Sequence, residues 1–253
     1  MIGLGLLSLA GFVVYRGVRT LGYLHETQKL IDRSDRFPRS YAVGDGRELN
    51  YVSLGDSTAQ GVGAAEVSGS LTSQIASLIP RRVKVLNLAQ SGATLEDLVN
   101  LQIPQIPWVG INLITVSISA NDVTHNSDLA TFRKHLETMI VELEAHHPIA
   151  IVLSDTPNYS TVPALPWIVR KIFYSRADSF TRAIQTASRS YRNVFIADLF
   201  THGTIPTEDY AADGFHPSPE GYAIWANVFV DAIRRSPLGE DWKSGLRLSS
   251  LER

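Results

Sequence analysis

The chain has 253 residues, a net charge of −2 with its histidines neutral, 44% hydrophobic and 19% charged residues, and no cysteine. That length suits one large domain with appendages, and the composition is that of a globular chain, not a disordered one. The small charge supplies no long-range field for gathering phosphates, which argues against nucleic acid as a partner. The missing cysteines exclude a disulfide scaffold, a thiolate zinc site, an iron–sulfur cluster and a thiol nucleophile.

The N-terminal stretch Met1 to Tyr15 carries no charge, and Arg16 and Arg19 follow it. It falls short of the roughly 20 residues a spanning helix needs, and reaches that length only by running through Val18, Leu21 and Leu24 with two arginines at one interface. Residues 1–24 are therefore expected to be an uncleaved membrane anchor. A signal peptide lacks a basic leader and a well-placed cleavage site, and a core helix is the plainer alternative. The flanking arginines place the main domain in the cytoplasm by the positive-inside rule. That sits poorly with an external substrate, so the side of the membrane stays open.

Residues 25–48 read as a short helix and a connector ending in the turn Gly44-Asp45-Gly46. From Leu49 the pattern becomes regular. Strands are predicted at Leu49–Leu54, Val83–Leu88, Leu113–Ile118, Ile149–Leu153 and Val194–Ala197. Helical periodicity lies near Ser70–Ile79, Leu95–Leu101, Leu129–Ala145, Phe173–Ser190 and Pro219–Ile233. Such alternation predicts an α/β fold, a mostly parallel five-stranded sheet with helices on both faces. The domain spans 49–235, and 236–253 read as a polar tail.

Sheets of this kind place their sites in the crevice beyond the strand C-termini. Ser57 follows the first strand directly, and its hydroxyl is either a helix N-cap or a nucleophile awaiting a base. Asp213-Gly214-Phe215-His216-Pro217 sets a carboxylate and an imidazole three residues apart in a turn before a well-capped helix. His216 can take the Ser57 proton while Asp213 fixes its tautomer. Gly92, after the second strand, can bring a backbone N–H close to a substrate, and Asn121, after the third, can offer a side-chain amide. Taken singly, each is an ordinary turn residue.

Together these residues resemble the SGNH (GDSL) hydrolase family. The blocks are Gly55-Asp56-Ser57-Thr58, with Thr where the family name has Leu; Gly92 within Asn87 to Ala93; Ser119-Ala120-Asn121-Asp122; and Asp213 to Pro217. The resemblance covers about Leu49 to Arg235. It implies a flavodoxin-like three-layer sandwich and hydrolysis of acyl esters through an acyl-enzyme. Ser57 would be the nucleophile, His216 the base and acid, and Asp213 its partner. The Ser57 N–H, the Gly92 N–H and the Asn121 amide would form the oxyanion hole. The third block departs from the family at Ser119, where Gly is usual, and a side chain there is expected to narrow the pocket or perturb the strand end.

Gly55-Asp56-Ser57-Thr58-Ala59 also nearly matches a G-x-S-x-G elbow, but that motif belongs mid-sheet with its acid far from the histidine. No metal motif, P-loop or dinucleotide fingerprint occurs, so no cofactor or metal is expected. The stretch Thr161 to Tyr174 reads as an apolar acyl wall or as core. The expected partner is a small-molecule or lipid acyl ester, with carbohydrate O-acetyl esters and acyl thioesters as alternatives on the same triad. A non-catalytic, membrane-tethered glycan-binding module and a flavin binder are the readings from other classes.

Overall fold

The computed structural model describes residues 22–107, 109–240 and 242. The predicted anchor lies outside the described residues except for its last three, which begin helix α1 at 22–34. Among the described residues no helix is long and apolar enough to cross a membrane.

The strands are β1 (Ser40–Val43), β2 (Glu48–Gly55), β3 (Arg82–Asn87), β4 (Leu113–Ser117), β5 (Ala150–Ser154) and β6 (Val194–Ala197). After α1 come α2 (Ser57–Gln60), α3 (Leu71–Ser77), α4 (Leu95–Asp97), α5 (Ala120–Thr124), α6 (Leu129–Glu144), α7 (Trp167–Ser188), α8 (Leu199–His202) and α9 (Pro219–Arg234). They build one six-stranded sheet of order β1-β3-β2-β4-β5-β6, parallel except where β1 runs antiparallel to β3.

The five-strand expectation is thus corrected to six. The extra strand, β1, lies inside the segment read as a connector, because four residues of mixed polarity at an edge carry too little pattern to be seen. Their pairing with β3, Tyr41 opposite Val85, makes them a strand. The C-terminal segment also departs from a solvated tail at its start, since Leu238 is buried against the α9 side of the core.

Period-two alternation separates two cores. Tyr51, Leu113 and Val152 face α3 and α9, packing with Leu71, Ile75, Tyr222 and Phe229. Their neighbours Val52, Ile114, Ile151 and Leu153 face the other way, onto Leu98 after α4, Phe132 and Ile140 of α6 and Phe180 of α7. Strands β4 and β5 are buried at every residue, which is why they read as continuous apolar runs.

From β2 the chain passes outward to β3, then crosses back to place β4 on the other side of β2. This reversal opens a crevice beyond the C-termini of β2, β3 and β4. The next strand end is closed by Asp155, fully buried after β5, whose carboxylate accepts the Phe200 N–H and the Gln185 side-chain amide, each at 2.9 Å.

Burial pushes the Asp155 carboxyl up to about 7, against the lowering effect of those two donors. A carboxyl raised in the fold stabilises it most below its unfolded value, and that contribution is lost as pH rises through about 7. Asp155→Asn should therefore gain in melting temperature relative to wild type between about pH 5 and about pH 8. Thermal denaturation at the two pH values checks this, and a difference independent of pH would refute it.

Candidate active site

The turn that carries Ser57 begins at Gly55, the last residue of β2. Its φ is 144°, and a Cβ there would stand 2.0 Å from the Ser117 carbonyl oxygen of β4, so no side chain fits. The Gly55 backbone is clamped on both sides by Gln102, whose side-chain oxygen accepts the Gly55 N–H at 2.9 Å and whose amide donates to the Gly55 carbonyl at 2.8 Å. Gln102 ends a π-helical turn, Leu98–Gln102, and is completely buried.

Asp56 caps α2, accepting the Thr58 N–H and hydroxyl on one oxygen. Thr58 therefore has a role that Leu could not fill, because its hydroxyl also meets Ser117 Oγ at 2.9 Å. Ser57 is the first residue of α2. Its N–H lies in the turn whose amides lack intrahelical partners.

The last block supplies the other half. Ser57 Oγ lies 2.9 Å from His216 Nε2, and His216 Nδ1 lies 2.6 Å from Asp213 Oδ2. Asp213 Oδ1 accepts the N–H groups of Phe215 and His216 at 3.0 Å each, which folds the turn around the carboxylate. Burial raises the Asp213 carboxyl, but these donors and the His216 ring outweigh it and hold it below its ordinary value. It is an anion at neutral pH, as an imidazolium partner should be.

Gly92, at φ 82°, and Asn121 both line the cleft that contains Ser57 and His216. The Asn121 amide donates one hydrogen to the Ala93 carbonyl at 2.9 Å, which fixes its plane and leaves the second hydrogen for a ligand. Beside it, Asp122 accepts the Leu95 N–H at 3.0 Å. The second and third blocks are thereby locked together, and the structure brings all five predicted residues to one place.

The cleft measures about 240 Å³, and its apolar wall includes Ile31, Pro157, Tyr159, Val162 and Phe215. Of the stretch predicted as an acyl wall, Val162 lines the cleft. Trp167 does not; it is 65% exposed on α7, with the Lys171 ammonium over its ring. Ile31, Thr27 and Gln102 escaped sequence reading, since nothing in their neighbourhoods marks them as partners of the blocks.

The doubly wound sheet, with a hydrogen-bonded Ser–His–Asp chain beyond its strand ends, has the arrangement on which serine hydrolases are built. The chain belongs to the GDSL-like lipase/acylhydrolase family, whose model matches residues 53–224, and it is an ester-hydrolysing enzyme. A GDSL-like esterase of Mycobacterium tuberculosis is 27% identical over 258 residues, 91% of this chain and 81% of that protein. Among solved structures, a lipase/acylhydrolase from Enterococcus faecalis matches with a TM-score of 0.60 and 26% identity, covering 74% of this chain and 97% of that one. An acetylxylan esterase from Geobacillus stearothermophilus shares the fold at a TM-score of 0.56 and 18% identity, covering 75% and 95%.

Ser119 explains its own departure from the family. It has φ 100°, the left-handed region that glycine adopts freely, and its buried hydroxyl donates to Thr156 Oγ1 at 3.1 Å. The pocket is not narrowed, because this side chain is absent from the cleft wall. Left-handed strain of about 1–2 kcal/mol opposes a hydrogen bond worth about 1 kcal/mol. Ser119→Gly should thus stay within about 1 kcal/mol of wild type in urea denaturation, and Ser119→Ala, which keeps the strain and loses the bond, should fall about 1 kcal/mol below the glycine variant. Both should retain esterase activity.

Proposed function

We propose that Ser57 is the nucleophile, His216 the general base and then acid, and Asp213 the carboxylate that orients it. The hydrogen-bonded chain from Ser57 Oγ through both His216 nitrogens to Asp213 carries this reading. In the first half-reaction Ser57 Oγ attacks the ester carbonyl as its proton passes to His216 Nε2, and the imidazolium is held against Asp213. The carbonyl oxygen, now an anion, accepts the Ser57 N–H, the Gly92 N–H and the free hydrogen of the Asn121 amide. His216 returns the proton to the departing alkoxide, leaving Ser57 acylated. Water then enters and gives a proton to His216 as its oxygen attacks the acyl carbon; the bond to Ser57 Oγ breaks, His216 returns the proton to Ser57, and the carboxylic acid leaves.

The acyl group is proposed to be short. The cleft of about 240 Å³ lies below the roughly 300–1,000 Å³ of sites that enclose drug-sized ligands. Its apolar lining suits an alkyl chain, and Trp167 adds no wall to it.

Labelling with a fluorophosphonate and a panel of p-nitrophenyl esters test both parts. Ser57→Ala should lose the label and about 10⁴-fold or more in kcat. The wild type should prefer acetate and butyrate to palmitate. Retained labelling in Ser57→Ala would overturn the nucleophile, and a preference for palmitate would overturn the short acyl group.

A further inference from the structure

The Asp213 carboxylate is completely enclosed, and each of its oxygens accepts two donors. Three of these come from its own turn: the Phe215 N–H, the His216 N–H and the His216 ring. The fourth is the hydroxyl of Thr27, 3.1 Å from Oδ2, the same oxygen that faces His216 Nδ1. An ionised carboxylate has about four lone-pair sites, so Thr27 fills the last one. It does so from α1, 186 residues away in sequence and outside the 53–224 region that the family model matches.

The Thr27 hydroxyl has a single proton and also lies 2.9 Å from the Tyr23 carbonyl. That carbonyl, inside a helix, has a backbone donor of its own four residues on. The carboxylate is charged and sealed from water, so it is the acceptor that gains more from the proton.

The same helix reaches the opposite side of the site. Gln60, three residues past Ser57, donates to Ser34 Oγ at 3.1 Å and to Asp35 Oδ1 at 2.6 Å, at the C-terminal end of α1. Its side-chain oxygen accepts the N–H of Ser91, the neighbour of Gly92. Ile31, one turn beyond Thr27, lines the cleft. Thus α1 is tied to the acid through Thr27 and to the oxyanion turn through Gln60.

Resting on the triad assignment above, we propose that α1 is part of the catalytic machinery and that Thr27 is a positioning residue, holding Asp213 Oδ2 in line with His216 Nδ1. Thr27 also lines the cleft, but its hydroxyl is directed at Asp213 Oδ2 and acts on the reaction through that carboxylate. Loss of the hydroxyl leaves a buried lone pair unmet and frees the carboxylate to turn, which weakens its hold on the imidazolium formed at the transition state. Valine has nearly the shape of threonine, so the cleft lining at Thr27 is kept while the donor to Asp213 is lost.

The test compares Thr27→Val, Thr27→Ser and Ser57→Ala in the full chain on p-nitrophenyl acetate. Thr27→Val is expected to lower kcat about tenfold with KM within about twofold, and Thr27→Ser, which keeps the donor, to recover most of kcat. In an Asp213→Asn background the valine substitution should cost less than about twofold, because the charged acceptor is gone. Wild-type kcat in Thr27→Val, an equal loss in Thr27→Ser, or a loss carried by KM alone would overturn the role of α1. Thr27→Ala replaces the valine variant in the same comparison if circular dichroism shows that the latter has not folded. Ser57→Ala separates the two ideas: if it stays active the triad assignment fails, whereas an inactive Ser57→Ala beside an unaffected Thr27→Val sinks only the role of α1.

Discussion

The site depends on how closely β2 approaches β4 at their last rung. Gly55 pairs with Ser117, the next N–H, that of Asp56, donates to the Ser117 carbonyl at 3.0 Å, and a methyl group at Gly55 would overlap that oxygen. Because the two strands end together, the turns that leave them start from one place. One turn lifts Ser57 and the other lifts Asn121. Gln102 holds both the N–H and the carbonyl of Gly55, so the pair cannot slide without breaking two buried hydrogen bonds. A side chain at Gly55 would separate the strands and, with them, Ser57 from the Asn121 amide.

Three buried carboxylates show how the surroundings decide charge. Burial pushes Asp155 up to about 7 and Asp56 up to about 6, each against its own donors. Asp213 is no less enclosed, yet lies below its ordinary value. The difference is the number and kind of donors, since Asp213 faces an imidazole and two backbone N–H groups from its own turn. Desolvation alone would neutralise it. The Gly214-containing turn therefore does electrostatic work as well as geometric work, and it is what makes Asp213, of the three, the carboxylate suited to stabilise a transient cation.

The parts of this arrangement visible in the sequence are those whose signal is local. Strands β4 and β5 announce themselves because they are buried at every residue, β2, β3 and β6 because β-branched and aliphatic residues recur between turn signals, and Asp213 to His216 because a carboxylate and an imidazole three residues apart in a turn already contain their geometry. Ser57, Gly92 and Asn121 were legible through their place after strands. Strand β1 was not, since its identity rests on pairing with β3. Neither was Thr27, whose neighbours in sequence are those of any polar helix and whose partner is 186 residues away. Gln102 was hidden for the same reason, with a π-helical turn aiming it inward. Trp167 misled because an aromatic among aliphatics at helical spacing reads as a wall, while the helix presents it to solvent.

The division between legible and hidden follows the division between chemistry and substrate choice. Ser57, His216 and Asp213 sit on short turns that can be read from local blocks, whereas a fold by itself does not choose a substrate. The apolar cleft wall is drawn largely from outside the blocks, Ile31 from α1 and Tyr159 and Val162 from the segment after β5, with Phe215 from inside the acid–histidine turn. None of these is constrained by the proton path from Ser57 to Asp213, except Phe215, whose N–H holds the carboxylate while its ring borders the cleft. A change in wall residues can therefore alter the acyl group accepted without disturbing the triad. Helix α1 differs, because Ile31 and Thr27, one turn apart, both line the cleft and Thr27 also meets Asp213, so a shift of that helix alters the cleft and the carboxylate's surroundings together.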